Sequence, residues 1–243
     1  MNKRAFRKAI TRMRAKVMMT LRSRRDSAAI FSNIYRKKSW ARGASKSADF
    51  WSGDGSAEQY TLEYARVIGD FVNEHKIGTI VDLGCGDFQV GQRIIEVADC
   101  RYIGVDVVPD LVERNSRLFA TDQVSFVCKD IAKDELPAGD LCLIRQVLQH
   151  LDNETIQRVF KHVSKYPFCI VTESQLNHPE IANVDIKSGA WTRTLFGSGL
   201  YFDQPPFSKK IKTLLNVQRN ASTVIHTCLI VLSAQESTLM NDG

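Results

Sequence analysis

The sequence predicts an α/β protein with a mostly parallel sheet and helices on both faces of that sheet. Two observations lead to this prediction. Short apolar segments recur along the chain, each with an acidic residue at or just after its carboxyl end, at residues 79–83, 101–106 and 124–130. A glycine turn and a segment with helical spacing of apolar residues follow the first of them.

The first strand, residues 79–83, is the segment around which the rest of the chain is organised. Its β-branched and apolar side chains lie between Gly78 and Gly84, which is typical of a short buried strand. Gly84 and Gly86 form a turn before a helical pattern opens at Phe88. This order of strand, glycine turn and helix lets backbone N–H groups approach a ligand at the helix N-terminus.

Six further strands are predicted from similar patterns. They comprise residues 101–106, 124–128, 140–145 and 167–173, and a C-terminal pair near 213–218 and 224–233. Helices are predicted after Ser56 and after Asp152, since both residue types are good N-caps. Asp106 ends the second strand, and in an open parallel sheet an acid there reaches the ribose hydroxyls of a nucleoside lying across the first glycine turn.

Several motifs now follow one another in a fixed order. They are the Asp82-x-Gly84-x-Gly86 turn, Asp106, Asp130 and the run Val147-Leu148-Gln149-His150-Leu151. In this order they resemble the successive motifs of the class I S-adenosylmethionine-dependent methyltransferases, over roughly residues 77–173. The resemblance implies a Rossmann-like sheet of seven strands with a C-terminal antiparallel hairpin, and it implies S-adenosylmethionine as the cofactor.

The resemblance also implies which residues bind the cofactor. It assigns the glycine turn and Asp82 to the methionine part, Asp106 to the ribose, and the Asp130–Ile131 pair to the adenine. The full set expected from it is Asp82, Gly84, Cys85, Gly86, Asp106, Val107, Asp130, Ile131, Arg145 and Gln146. Phe88 stands where the family has a third glycine, and we expect its ring to narrow the methionine pocket. The same residue leaves the dinucleotide motif G-x-G-x-x-G incomplete.

Three residues are candidates for a catalytic base. His150 follows the fourth strand, where the methyl acceptor is expected, and an imidazole can accept a proton near neutral pH. Glu173, at the end of the fifth strand, is the second candidate and His178 is a weaker one. The alternative for His150 is that it only packs at the start of the following helix.

A long segment rich in turn-forming residues, 174–210, follows the fifth strand, and insertions of this length are commonly functional. Residues 198–207 resemble a segment of small bacterial methyltransferases associated with surface-polysaccharide biosynthesis. Trp191, Arg193 and Tyr201 are the expected substrate-binding residues, because aromatic faces stack on rings and arginine binds oxyanions. Residues 39–56, rich in Gly and Ser but with three large aromatics, could cover the cofactor mouth.

The positive charge is concentrated at the N-terminus. Residues 1–46 hold fifteen Lys and Arg against Asp26 alone, a net charge of +14, whereas the remainder carries −8. Five apolar residues at steps of three and four form one stripe on a predicted basic helix, from Phe6 to Leu21. Such a helix suits an anionic membrane surface or a nucleic acid. A solvated, partly disordered tail and a helix docked on its own domain are the alternatives.

Domain organisation and location follow from the same features. We expect a basic extension over residues 1–48 and one methyltransferase domain over residues 49–243. The six cysteines form no C-x-x-C pair, so neither a metal site nor a disulfide framework is expected, and a reducing cytoplasm fits best. No signal peptide or membrane-spanning run is expected. The extension could hold the protein at the inner membrane face.

The sequence supports three functions. The first is O-methylation of a small sugar-derived or phosphorylated acceptor, a glycan precursor, in surface-glycan biosynthesis. The second is RNA methylation, with the basic extension as the anchor for the nucleic acid. The third is a non-catalytic binding module with the methyltransferase fold. Neither the accepting atom nor the oligomeric state follows from the sequence.

Overall fold

The computed structural model describes residues 26–41 and 50–231. The strands are β1 Thr79–Leu83, β2 Arg101–Asp106, β3 Val124–Cys128, β4 Leu141–Arg145, β5 Phe168–Leu176, β6 Lys210–Asn220 and β7 Thr223–Val231. The helices are α1 Ser27–Arg36, α2 Leu62–Glu74, α3 Gln89–Ile95, α4 Pro109–Phe119 and α5 Asn153–Val163. Four short 3₁₀ turns are Asp54–Ser56, Glu58–Tyr60, Leu148–His150 and Arg193–Phe196.

All seven strands form one sheet in the order β3-β2-β1-β4-β5-β7-β6. The pairs from β3 to β5 are parallel, whereas β7 runs antiparallel between β5 and β6. The predicted fold, a mostly parallel seven-stranded sheet with a C-terminal antiparallel hairpin, is confirmed. Strand order reverses between β1 and β4, and in open α/β sheets the crevice at this reversal is where ligands bind.

Each face of the sheet has its own core, which explains why the central strands are apolar throughout. In β4, Leu141 and Leu143 pack with α2 and α3 on one face. Cys142 and Ile144 point to the opposite face and pack with α5. All four side chains are completely buried. Helices therefore cover both faces, as the sequence predicts.

The helix N-termini match the predictions to different degrees. Asp152 caps α5, because its carboxylate accepts the backbone N–H of Thr155 at 2.8 Å. Two 3₁₀ turns follow Ser56, however, and α2 begins only at Leu62. The predicted basic helix from Phe6 to Leu21 lies outside the described residues. In the part of the chain that is described, no helix combines the length and apolar character needed to cross a membrane.

The expectation that Phe88 narrows the methionine pocket is wrong. Phe88 adopts a left-handed backbone conformation with φ of +70°, and its ring is 1% exposed because it points into the core. There it lies 5.2 Å from the ring of Tyr102 and 5.0 Å from the ring of Phe126, measured between centroids. Gly91 provides the space, since a Cβ on it would lie 2.6 Å from the Phe88 ring. The chain therefore has Phe88 where the family resemblance places a glycine, and Gly91, one helical turn later, leaves room for the Phe88 ring.

Replacing Phe88 by Ala should destabilise the protein by about 3–5 kcal/mol, because it leaves a cavity between aromatic rings. Urea unfolding measures this free energy. Leu118→Ala is the matched control, since Leu118 is 53% exposed and its truncation should cost less than about 0.5 kcal/mol. A loss below about 1 kcal/mol for Phe88→Ala would show that the ring is not part of the packed core.

Candidate active site

A cleft partly open to solvent lies at the carboxyl ends of β1, β2 and β4, and its empty volume of about 1030 Å³ includes the solvent at its mouth. A cleft is the usual form of a small-molecule site. All ten residues expected to bind the cofactor line it: Asp82, Gly84, Cys85, Gly86, Asp106, Val107, Asp130, Ile131, Arg145 and Gln146. The sheet brings them together because parallel strands place their carboxyl ends at one edge.

The glycine turn after β1 shows why side chains are absent there. Gly84 has φ of +82°, and a Cβ on it would lie 2.3 Å from a methyl of Val147. Gly86 has φ of +58°, and a Cβ there would lie 2.3 Å from the Ser52 hydroxyl oxygen. Both positions combine a left-handed backbone with close approach of a neighbour, so only glycine fits. The turn is thus closely packed on two sides.

Asp106 fixes the turn from the neighbouring strand. One carboxylate oxygen accepts the Gly86 N–H at 3.1 Å and the other accepts the Val108 N–H at 3.1 Å. Asn115 donates to the Gly86 carbonyl at 2.7 Å. Each Asp106 oxygen keeps a further lone pair, which is what the two hydroxyls of a ribose require. Burial raises the pKa of Asp106, and the two backbone hydrogen bonds oppose this effect.

The cavity is acidic. Asp82, Asp87, Asp106 and Asp130 line it, whereas Arg145 is the one Lys or Arg that lines it among residues 26–41 and 50–231. Burial raises the pKa of Asp82 to about 6, although a hydrogen bond from Tyr102 and the charge of Arg145 work against this. Such an excess of carboxylates favours a cationic ligand. S-adenosylmethionine carries positive charge on its sulfur and its amino group, so the residues present fit this cofactor.

Part of the chain that precedes β1 forms one wall of the cavity. Phe31 and Tyr35 of α1, together with Trp40 and Ser52, line it. The Ser52 hydroxyl oxygen accepts the Asp87 N–H at 2.8 Å, and the Ser52 N–H donates to the Asp87 carboxylate at 3.2 Å. Tyr35 and Ser52 hydroxyls lie 3.1 Å apart. The predicted cover by residues 39–56 is therefore present at Trp40 and Ser52.

Sequence reasoning missed α1, which it assigned to the basic extension. The available signal was the spacing of Phe31 and Tyr35, four residues apart on one helical face, with Trp40 just beyond. The N-terminal end of this helix is tied down as well. Lys133 lies 2.8 Å from the carboxylate of Asp26 and 3.0 Å from that of Asp130. Part of the predicted extension is thus a wall of the cavity.

His150 is the predicted catalytic residue that lies in the cavity. It is 9% exposed, and its ring centroid lies 4.9 Å from that of Trp40. Nδ1 is buried and has no hydrogen-bond partner among the described residues, and the backbone of Trp191 and of Gly189 lies near the ring. In the neutral tautomer that is protonated on Nε2, Nδ1 has a free lone pair. Burial lowers the pKa of His150 to about 4, so the ring is neutral at pH 7.

The sequence predicts Glu173 at the end of the fifth strand, but β5 continues to Leu176, so Glu173 lies within the strand. It is completely buried and does not line the cavity. One carboxylate oxygen accepts the N–H groups of Val147 and Leu148, at 3.0 and 2.7 Å. Burial raises the pKa of Glu173 to about 8. In this position its carboxylate supports the chain before His150 and has no access to a ligand in the cavity.

The three expected substrate-binding residues also lie outside the cavity lining. Arg193 is 1% exposed, and its guanidinium donates to backbone carbonyls, so it has no access to an acceptor. Tyr201 donates its hydroxyl to the Leu176 carbonyl at 2.6 Å. Trp191 contributes through its backbone, next to His150. The prediction that Arg193 and Tyr201 bind the acceptor is corrected, because their polar groups bind backbone carbonyls, and the Trp191 side chain does not line the cavity either.

The insertion nevertheless reaches the site through its backbone. Gly189 donates its N–H to the His150 carbonyl at 2.9 Å. The Trp40 indole donates to the Ala190 carbonyl at 3.4 Å. These contacts hold Trp40 and His150 against each other at the cavity wall. The backbone of the insertion thus supports Trp40 and His150, although no residue of 174–210 lines the cavity.

Comparisons with known proteins agree with this geometry. Residues 80–166 match a family model described as a methyltransferase domain. No curated protein matches the sequence. Three similar solved structures are human N-acetylserotonin methyltransferase in complex with SAM, the N-methyltransferase NodS from Bradyrhizobium japonicum WM9 in complex with S-adenosyl-L-homocysteine, and magnesium protoporphyrin IX methyltransferase from Synechocystis PCC 6803 with bound SAM.

These likenesses differ in coverage. The human enzyme has 16% identity and a TM-score of 0.50, over 85% of this chain and 59% of its own. This chain thus spans less than two thirds of that relative. NodS has 10% identity and a TM-score of 0.51, over 71% of this chain and 88% of its own. The Synechocystis enzyme has 15% identity and a TM-score of 0.51, over 86% and 99%.

At these identities the solved structures establish the shared fold. The family match adds that the segment from Ile80 in β1 to just beyond α5 resembles a methyltransferase domain, and this segment includes the glycine turn with Asp82, Asp106 and Asp130. S-adenosylmethionine is the cofactor that the lining of the cavity fits.

Replacing Asp106 by Ala should weaken S-adenosylmethionine binding by about a hundredfold or more, because hydrogen bonds to a charged group contribute about 1.5–3 kcal/mol each. Isothermal titration calorimetry measures the affinity. Asp110→Ala is the matched control, since it removes the same charge from an exposed position in the first turn of α4. Equal affinities of the two variants would contradict the assignment of Asp106 to the ribose.

Proposed function

We propose that the protein transfers a methyl group from S-adenosylmethionine to a hydroxyl oxygen of a small, uncharged acceptor, with His150 as the proton acceptor. The observation that carries this proposal is the unpartnered Nδ1 of a neutral, buried histidine in the cavity wall. The cofactor, when bound, supplies a methyl group on a positively charged sulfur. The C–S bond breaks as the C–O bond forms, and the sulfur becomes neutral.

The proton balance of this step requires a base. The acceptor hydroxyl loses its proton as the C–O bond forms, and the Nδ1 lone pair of His150 receives it. A pKa of about 4 in the folded protein keeps the ring unprotonated before transfer and makes it a weak base. Its first effect is therefore to hold the hydroxyl by hydrogen bonding, with the oxygen lone pair free to attack. Orientation of this kind contributes strongly to displacement reactions.

The cavity wall near His150 indicates the character of the acceptor. Phe31, Trp40 and Leu151 provide apolar and aromatic surface, and Thr155 adds a hydroxyl. A neutral ring that stacks on Trp40 and presents a hydroxyl to His150 suits this surface. A sugar-derived acceptor, which the resemblance at residues 198–207 suggests, satisfies these requirements if it is uncharged.

A phosphorylated acceptor is disfavoured by the charges. Arg193, the residue expected to bind a phosphate, is occupied by backbone carbonyls. Arg145 stacks on the Tyr64 ring at 5.0 Å and donates to the Tyr60 carbonyl at 3.2 Å. The four carboxylates of the cavity would repel a phosphate group at close range. The proposal is therefore narrowed to neutral acceptors.

The basic extension supports two different settings for this reaction. A net charge of +14 over residues 1–46 suits attachment to an anionic membrane surface, which is the setting we propose. RNA methylation is the second candidate function, and it rests on the same charge. RNA binding of this kind would weaken steeply as salt concentration rises.

Incubation with tritiated S-adenosylmethionine and fractionated cell extract tests the proposal. We expect label in a small, uncharged product that passes through an anion-exchange column. Label that ribonuclease releases would instead establish the RNA function. Absence of label from every fraction, with normal binding of the cofactor, would reject both and favour a non-catalytic binding module.

Replacing His150 by Ala should lower kcat by about two to four powers of ten, because the hydroxyl loses its proton acceptor. The affinity for S-adenosylmethionine, measured by calorimetry, should change little. His178→Ala is the control, since His178 is exposed in the insertion. In the wild type, the His150 ring should cause no loss of rate between pH 8 and pH 5, because its pKa lies near 4. A His150→Ala rate close to wild type would reject the proposed base.

A further inference from the structure

The turn that carries His150 is held by two buried ionisable side chains, Glu173 and Arg193, that do not line the cavity. Residues 146–152 connect β4 to α5 and include the 3₁₀ turn Leu148–His150. Glu173 contacts this segment from β5, and Arg193 contacts it from the insertion. The two side chains are 0% and 1% exposed.

Glu173 holds the N–H groups at the start of the turn. Its Oε1 accepts from Val147 at 3.0 Å and from Leu148 at 2.7 Å. Gln146, directly before them, has φ of +59°, a conformation that few side chains adopt without support. The carboxylate therefore fixes the point at which the chain leaves the sheet.

Arg193 holds the carbonyl groups at the end of the turn. Nη1 donates to the carbonyls of Leu148 and Gln149, at 3.2 and 3.3 Å. Nη2 donates to the Leu151 carbonyl at 2.7 Å and to the Asn153 side chain at 2.7 Å. The carbonyls on both sides of His150 are thus bound by one rigid, planar group.

The held turn also touches the cofactor turn. A Cβ on Gly84 would lie 2.3 Å from Val147, so these two residues are in close contact. A shift of Val147 therefore changes the distance between the cofactor turn and His150. Side chains that fix Val147 and His150 together set the distance from the base to the reacting methyl group.

We infer that Glu173 and Arg193 are positioning residues that fix the His150 turn from opposite sides. Glu173 binds the backbone N–H groups at the start of the turn, and Arg193 binds the backbone carbonyls at its end. The inference rests on the proposed role of His150 as proton acceptor. It gives both residues a task in the reaction although neither touches cofactor or acceptor.

A double-mutant cycle with Glu173→Ala and His150→Ala tests the inference. The rate measured is transfer of tritium from S-adenosylmethionine to the extract fraction that becomes labelled. Glu173→Ala alone should lower kcat by about tenfold to a hundredfold, since a displacement of about 1 Å can cost a hundredfold. In the His150→Ala background the same change should have almost no further effect, because Glu173 acts through His150.

Three conservative variants support the cycle. Glu173→Gln retains an acceptor oxygen, and with the pKa of Glu173 near 8 a neutral amide is a close mimic at pH 7, so its rate should be near wild type. Glu173→Asp withdraws the carboxylate by one methylene and should lower kcat, and it replaces Glu173→Ala if the latter fails to fold. Arg193→Lys should lower kcat as well, because an ammonium cannot reproduce the planar fork.

A spectroscopic readout is independent of turnover. In long-range ¹H–¹⁵N spectra of the ligand-free protein, the ring nitrogens of His150, identified by their loss in His150→Ala, should show the tautomer protonated on Nε2. Glu173→Asp should shift these signals, Glu173→Gln should leave them in place, and the signals of His75, His162 and His226 should not move.

The outcomes separate this inference from the proposed function. A normal rate for His150→Ala rejects the proposed base and, with it, the role given to Glu173 and Arg193. A slow His150→Ala enzyme in which Glu173→Ala causes the same further loss as in wild type rejects the positioning inference alone. Unchanged His150 signals in Glu173→Asp would reject it too.

Discussion

The contact between Gly84 and Val147 is the constraint on which the site depends. Both strands that lead to it, β1 and β4, are buried and adjacent at the point where strand order reverses. Because Gly84 has no side chain, the turn after β4 approaches the turn after β1 to within van der Waals contact. One turn carries the cofactor motif and the other carries His150. Their separation is therefore set by the sheet and not by a mobile loop.

The charges of the site follow a consistent division. Acidic side chains line the cavity itself, where a cationic cofactor offsets them. Glu173 and Arg193 lie behind it, buried and hydrogen-bonded to the backbone. Removing either would leave buried N–H or carbonyl groups without a partner, at a cost of about 1–3 kcal/mol for each group. Such residues are expected to contribute to both stability and geometry.

Sequence patterns predicted the sheet and the residues that line the cofactor cavity, because both depend on local signals. Buried strands have a distinctive composition, and the acids that follow them share one edge of a parallel sheet. The roles of Arg193 and Phe88 could not be predicted in the same way. Arg193 is buried by contacts with residues about forty positions earlier, and Phe88 fits only because Gly91 makes room for it. Such tertiary contacts have no periodicity in the sequence.

A structure with S-adenosylhomocysteine bound would test the account most directly. It predicts the ribose hydroxyls on the Asp106 carboxylate and the thioether sulfur on the side of the cavity that His150 and Trp40 line. The Val147–Gly84 contact should be retained. A sulfur atom that faces away from His150, or a ligand bound outside this cavity, would contradict the account.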